Sequence, residues 1–202
     1  MRIIAVDASP RHGVVSRSVE TAAGAAEAAG ATVERVRLYD LEIRSCTGCG
    51  MCRITDACKI GDDLPSLVER IASADGVILG TPAYFRKPEG ATAAFLDRVN
   101  GYFASPGQLR LPGMGPGEIA HSPVARDARR AVIITACAAP EPLATFFGYT
   151  TGPVRQLRAA LGSGGIRTVG SLAVTDTWRR PGVHEWEQDT ARSLGRILAG
   201  KI

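Results

Sequence analysis

No uninterrupted apolar stretch in the sequence approaches the roughly 20 residues that a membrane span requires. The opening segment MRIIAVDASPRH reads as a first strand, with neither the apolar region nor the cleavage site of a signal peptide. The expected location is therefore cytoplasmic, with no membrane partner. Lysine is scarce: Lys59, Lys87 and Lys201 are three of 24 basic residues, and the other 21 are arginine. Those arginines are spread along the chain, and the one local group, Arg126, Arg129 and Arg130, is interrupted by Asp127. A nucleic-acid footprint needs clustered cations, and 11 aromatic residues are too few for a base-stacking platform. No nucleic-acid partner is expected; single arginines at a net charge of +4 suit a small polyanion better. Neither G-x-x-x-x-G-K-[ST] nor G-x-G-x-x-G is present, which argues against a triphosphate loop and a dinucleotide fingerprint. Internal repeats are also lacking.

What is present is ordinary globular composition, 45% hydrophobic and 22% charged over 202 residues, enough for a single domain spanning residues 1–202. Short β-branched runs alternate with longer alanine-rich stretches. Strands are expected at residues 3–6, 32–38, 76–79, 131–136 and 168–174. Helices are expected at residues 16–29, stopped by Gly30; from a cap at Asp63 to about residue 74; and at 88–103, 143–161 and 183–198. Continuous apolar strands alternating with helices require a parallel sheet covered on both faces. With right-handed crossovers this predicts an α/β fold, an open doubly wound five-stranded sheet in the flavodoxin-like order 2-1-3-4-5. Residues 102–127, with four Gly and four Pro, are too long for an ordinary connection and read as an irregular lid or oligomer arm.

Ligands of such sheets sit at the carboxyl ends of the strands, beside the switch point. The loop after the first strand, Asp7-Ala8-Ser9-Pro10-Arg11-His12-Gly13-Val14-Val15-Ser16, leads straight into a helix. Its hydroxyls, its arginine and the helix amides suit a monophosphate, although such clusters also make plain turns. Gly80-Thr81-Pro82-Ala83-Tyr84-Phe85 follows the third strand and offers aromatic surface and backbone donors to a flat ring. His12 is either a phosphate partner or a solvated loop residue. His121 and His184 read as surface residues, and Trp178 and Trp186 as packing for the last strand and helix, the alternative being cover for a cofactor. Arg126, Arg129 and Arg130 read as a solvated face, the alternative being the extra phosphate of NADPH.

Four of the five cysteines fall within 13 residues, Cys46-x2-Cys49-x2-Cys52-x5-Cys58, with Gly48 and Gly50 between them. Such a loop, residues 46–58, reads as metal or redox chemistry in a reducing compartment. The spacing is tighter than two zinc knuckles and close to the run that wraps a cuboidal iron–sulfur cluster. Zinc, free thiols and a catalytic disulfide are the other readings. Cys137 reads as a buried small residue or a neighbour of the ligand.

S-P-R in the first loop, T-P-x-Y-F after the third strand and A-x-F-L-D-R at residues 93–98 resemble NAD(P)H-dependent FMN reductases. Together with the cysteine loop and Ile60-Gly61-Asp62-Asp63, they resemble the iron–sulfur flavoproteins. Val15 stands where the family commonly has Asn, and no Gly-Gly follows the fourth strand. The resemblance implies FMN as cofactor, with Ser9, Arg11, Val15 and Ser16 at its phosphate. Thr81, Pro82, Ala83, Tyr84 and Phe85 would contact ribityl chain and ring, and Thr135, Ala136 and Cys137 would lie on the far side. It implies a [4Fe-4S] cluster on Cys46, Cys49, Cys52 and Cys58, NAD(P)H as electron donor and no catalytic side chain. The expected activity is an FMN-dependent oxidoreductase passing electrons between NAD(P)H or a reduced carrier and a small-molecule or protein acceptor. The alternatives are a quinone, azo or nitro reductase without a cluster and a non-catalytic electron carrier. A homodimer or homotetramer is expected.

Overall fold

Every residue of the first strand after Arg2 is buried, and its side chains divide alternately between two cores. The computed structural model describes residues 1–55, 58–103, 129–180 and 182–200. Its elements in chain order are β1 (Arg2–Asp7), α1 (Val14–Ala28), β2 (Thr32–Arg37), a single 3-10 turn (Leu38–Asp40), α2 (Cys52–Thr55) and α3 (Leu64–Ser73). There follow β3 (Gly76–Tyr84), β4 (Lys87–Pro88), α4 (Gly90–Phe103), β5 (Arg130–Ala136), α5 (Leu143–Phe146), α6 (Thr151–Ser163), β6 (Arg167–Val174) and α7 (Glu185–Leu198).

The sheet runs β2-β1-β3-β5-β6, every neighbouring pair parallel, which is the order 2-1-3-4-5 once the short β4 is set aside. Ile4 and Val6 of β1 join Leu79, Leu67, Phe95 and Leu157 in the core under α3, α4 and α6. Ile3 and Ala5 join Ile78, Val19, Ala22 and Leu194 in the core under α1 and α7. Both faces are thus covered, as the continuous apolar strands demand. No helix among the described residues is long and apolar enough to cross a membrane.

Most boundaries shift by one or two residues from the sequence expectation, and a few differences are larger or change a cap's role. The third strand does not stop at Leu79: it continues through Tyr84 because Ala83 and Tyr84 pair antiparallel with Pro88 and Lys87. That hairpin delays the fourth helix to Gly90, whose first turn is held by the Glu89 carboxylate accepting from the Ala91 and Thr92 amides. The stretch expected as one helix over residues 143–161 is two, α5 and α6, broken where Gly148 adopts φ +73°. At the start of α3, Asp63 occupies the cap position, yet its carboxylate accepts from the Glu42 amide, and Asp62 accepts from the Leu64 amide instead. The expected arm at residues 102–127 lies, beyond Phe103, outside the described residues.

Helices α1 and α7 cross at Gly195, where an added Cβ would lie 2.1 Å from the Ala22 carbonyl oxygen. Backbone cannot yield there as a flexible side chain could. Gly195→Ala is expected to lower stability by about 1–3 kcal/mol, read as a fall of several degrees in Tm by circular dichroism, with the same fold retained.

Candidate functional site

At the carboxyl ends of β1, β3, β5 and β6 the loops enclose an open cleft of about 490 Å³. The first loop contributes Ser9, Arg11 and Val15 from the expected set, together with Pro10, His12, Gly13, Val14 and Arg17. Pro82, Ala83 and Tyr84 form one wall, Ala136 and Ala138 another, and Thr177 and Trp178 a third. Trp178 is 84% exposed, so it does not pack the last strand and helix as its sequence position suggests. Trp186, at 59%, does not either. No motif marks Trp178 in the sequence; its placement follows from bonds between loops. The Thr177 amide and hydroxyl donate to the Cys137 carbonyl, and the Asp176 amide donates to the Ala139 carbonyl. Arg180 then clamps the same loop, donating to the Thr175 carbonyl and to the fully buried Glu187. Burial pushes the Glu187 carboxyl up, but the Arg180 guanidinium and the His184 amide outweigh it and hold the group below the usual carboxylate range.

The remaining expected residues do not line the cleft. Thr81 is fully buried and shares a 2.8 Å hydroxyl contact with Thr92, and Thr135 is 1% exposed, its hydroxyl without a partner among the described residues. Cys137 is buried, which pushes its thiol up. Phe85 points away to a second cavity beside α6. Ser16 faces Asp7.

That aspartate is the main residue that motif reading passed over. Asp7 is 8% exposed at the end of β1, and its carboxylate accepts from the Ser9 amide at 2.9 Å, the Ser9 hydroxyl at 2.5 Å and the Ser16 hydroxyl at 2.6 Å. The two serines also approach each other at 2.8 Å. Both hydroxyls assigned to a phosphate therefore face an internal carboxylate. Groups that border the cleft and suit an anion are Arg11 and the first-turn amides of α1, which no side chain caps. His12 instead contacts Arg37, Nδ1 lying 2.7 Å from Nη1, and Arg37 also donates to the Ser9 carbonyl. Beside the cleft, burial and the Glu89 carboxylate raise the Tyr39 phenol to about 12, so it stays protonated and donates to Glu89.

The cysteine loop is fixed at its ends. Arg98 of α4 and Asp62 form an ion pair with both side chains fully buried, and Arg98 also donates to the Arg44 carbonyl at 3.0 Å and the Cys58 sulfur at 3.4 Å. The Cys58 amide donates to the Tyr102 hydroxyl, and Cys52 lies against Gly101, where a Cβ would stand 2.8 Å from its sulfur. Between these anchors Gly48 and Gly50 take φ +68° and +71°, and Cys46 and Cys49 are exposed. The Met51 amide holds the Cys49 thiol below the usual thiol range. Number, spacing and thiol chemistry fit a four-thiolate group. Among the described residues, however, no three Cys, His, Asp or Glu side chains converge on a metal-sized point.

Strand order and cleft together define a flavodoxin-like α/β protein with its ligand site at the switch point. Residues 1–121 match the family described as NADPH-dependent FMN reductase, and the chain belongs to that family. It is 34% identical over 99 residues to an iron–sulfur flavoprotein of Methanocaldococcus jannaschii, covering 48% of this chain and 51% of that protein. Identity to an iron–sulfur flavoprotein of Methanosarcina thermophila is 31% over 99 residues, covering 48% and 52%. The chain spans about half the length of the curated relatives it matches. The NAD(P)H:quinone oxidoreductase of Methanothermobacter marburgensis has a similar structure, with a TM-score of 0.69 at 19% identity over 98% of this chain and 96% of that one. So does an FMN-dependent NADH-azoreductase of Bacillus anthracis in complex with FMN, at 0.67 and 13% over 99% and 98%. At these identities the structural likeness establishes the fold alone.

Burial by itself raises the Asp62 carboxyl, and Arg98 with the Arg44 and Leu64 amides brings it below its ordinary 3.8. A lowered folded value gives stability that is present above 3.8 and lost as pH falls through the lower folded value. Asp62→Asn leaves Arg98 buried without a counter-charge and is expected to cost about 3–5 kcal/mol near neutral pH. The gap to wild type in urea unfolding should narrow steadily as the pH is taken below 3.8.

Proposed function

We propose that this chain is an FMN-dependent oxidoreductase that takes electrons from NAD(P)H or a reduced carrier and delivers them to a small-molecule or protein acceptor. The observation carrying this reading is the convergence of the β1, β3, β5 and β6 loops on one cleft with cationic, apolar and aromatic walls. FMN would supply the exchange between two-electron and one-electron donors and acceptors there. Arg11 and the amides opening α1 would hold the phosphate. Pro82 and Ala83 would let the ring approach the backbone. Tyr84 and Trp178 would cover it, limiting solvent access. Asp7 would act indirectly, fixing the Ser9 and Ser16 hydroxyls and hence the shape of the loop.

The cysteine loop is proposed to hold a [4Fe-4S] cluster through Cys46, Cys49, Cys52 and Cys58. Four thiols on one glycine-containing loop support this, as do the names of the relatives matched. A cluster-free quinone or azo reductase is the second reading, favoured by the open arrangement of the same thiols among the described residues. Anaerobically purified protein should show flavin absorption with a broad visible shoulder and about four irons and four acid-labile sulfides per chain. Zinc without sulfide would remove the cluster reading and leave the flavin reading intact. A self-association partner is proposed from the exposed Phe85, Phe146, Phe147 and Trp178, checked by light scattering for a dimer or tetramer.

Two substitutions test the phosphate assignment. Arg11→Ala should weaken FMN binding by about 1.5–3 kcal/mol while riboflavin binding changes little, because only FMN carries the charge that a charge-assisted bond recognises. Asp7→Asn removes a negative charge beside that phosphate; its Oδ1 still accepts from Ser9, and its side-chain NH2 donates to the Ser16 hydroxyl in place of accepting from it. It should raise the affinity for FMN relative to riboflavin, as measured by flavin fluorescence quenching.

A further inference from the structure

Three residues of α4 hold two of the four clustered thiols. Arg98, Gly101 and Tyr102 stand at spacings of three and four along the helix, so they share one face. Arg98 donates to the Cys58 sulfur, the Tyr102 hydroxyl accepts from the Cys58 amide, and Gly101 leaves room for Cys52. Cys46 and Cys49 lie on the exposed part of the loop. The four thiols are therefore unequal: Cys52 and Cys58 are backed by the helix, and the other two open to solvent.

The Arg98 guanidinium is committed to this segment. Its Nη1 donates to the Arg44 carbonyl at 3.0 Å and to Asp62. Its Nη2 donates to Asp62 Oδ1 at 2.9 Å, to the Cys58 sulfur at 3.4 Å and to the Ile60 carbonyl at 3.4 Å. The side chain is fully buried, and an arginine cannot shed its proton to escape the cost of burial. Asp62, equally buried, cancels its net charge. What reaches the sulfur is then a directed N–H, in low-dielectric surroundings where such a bond is stronger than in water. Anchoring the loop does not require it, because Asp62 and the Arg44 and Ile60 carbonyls already fix the guanidinium. Arg129 shows the purely bracing use of a buried arginine. Expected on a solvated face, it is instead 3% exposed and donates to the backbone carbonyls of Ile71 and Gly164.

We propose that Arg98 tunes the cluster of the cysteine loop, its Nη2–H stabilising the reduced state through the Cys58 sulfur and so raising the one-electron midpoint potential. The proposal deepens the cluster reading above and rests on it. In the step concerned the reduced flavin is oxidised by one electron and the cluster reduced by one, and a one-electron acceptor then reoxidises the cluster. No covalent bond changes, and Arg98 keeps its proton throughout. Each added electron makes the cluster and its thiolates more negative, and a hydrogen-bond donor to a ligand sulfur favours that state.

The test uses anaerobically purified protein with flavin and cluster in place. Arg98→Lys keeps a cation beside Asp62 but loses the planar fork that spans carboxylate and sulfur. In a potentiometric titration followed by EPR its midpoint should fall by about 59 mV or more, which is a tenfold change in a one-electron equilibrium and the scale of one charge-assisted hydrogen bond. Arg44→Ala removes an exposed cation of the same loop, one that bonds the Gly61 carbonyl and Glu42, and should keep the wild-type midpoint. Unsubstituted protein carrying 15N in its arginine guanidinium groups gives a reading that no folding defect disturbs: its reduced cluster should show a 15N coupling in pulsed EPR. If Arg98→Lys loses the cluster, that coupling decides alone. An unchanged midpoint in Arg98→Lys, an equal shift in Arg44→Ala, or no 15N coupling in the labelled protein would overturn the proposal. A merely structural Arg98 would lower the iron and sulfide content of Arg98→Lys and leave the midpoint of the retained cluster where it was. Zinc without sulfide in the wild-type protein would instead overturn the cluster reading on which the proposal stands.

Discussion

Burying both faces of a parallel sheet is the constraint from which the other features follow. A parallel strand cannot be joined to its neighbour by a tight turn, so each connection must cross a face, and the helix doing so covers that face. In this chain α1 and α7 cover one side, α3, α4 and α6 the other, and β1 supplies side chains to both cores. The chain leaves β1 toward β2 in one direction and toward β3 in the other. At that divergence the loops part, and a cleft opens that no core residue fills. The site is thus a by-product of covering the sheet, and its chemistry comes from the loops that happen to border the opening.

Two ion pairs, one fully buried and one with a buried carboxylate, turn loops into fixed walls. Arg180 and Glu187 hold the segment after β6 so that Thr177 and Trp178 border the cleft. Arg98 and Asp62 tie the end of the cysteine loop to α4, bringing a guanidinium nitrogen to 3.4 Å from the Cys58 sulfur. Buried pairs of this kind contribute little net stability compared with apolar packing, because desolvation cancels much of the attraction. Their effect is positional: each allows one arrangement of a segment that has few apolar contacts of its own. The middle of the cysteine loop has no such pair among the described residues, and there Gly48 and Gly50 carry the backbone between exposed thiols.

The same logic distinguishes what could be read along the chain from what could not. Strand order was legible because each strand is a short apolar run and each crossover a periodic helix, and both signals are local. The β3–β4 hairpin was missed because a positive φ at Phe85 and Arg86 has no signature in residue type, whereas the break at Gly148 did have one, a glycine, inside a stretch read as a single helix. In the site, Ser9, Arg11, Val15, Pro82, Ala83, Tyr84 and Ala136 border the cleft, whereas Ser16, Thr81, Phe85, Thr135 and Cys137 do not. Motif spacing identifies the loop a residue belongs to, but the direction of its side chain depends on competing partners such as Asp7 for Ser16 and Thr92 for Thr81.

By itself the sequence determined the doubly wound topology, the three loops after β1, β3 and β5, and the presence of four thiols in one short segment. Periodicity and spacing are properties of neighbours in the chain, so they survive without coordinates. Tertiary structure alone decided that Trp178 borders the cleft, that Asp7 claims both serine hydroxyls, and that Arg98 reaches the Cys58 sulfur. Each of these joins groups far apart in sequence or turns a side chain toward one of several available partners. Such choices are set by burial, charge pairing and backbone direction in the packed chain.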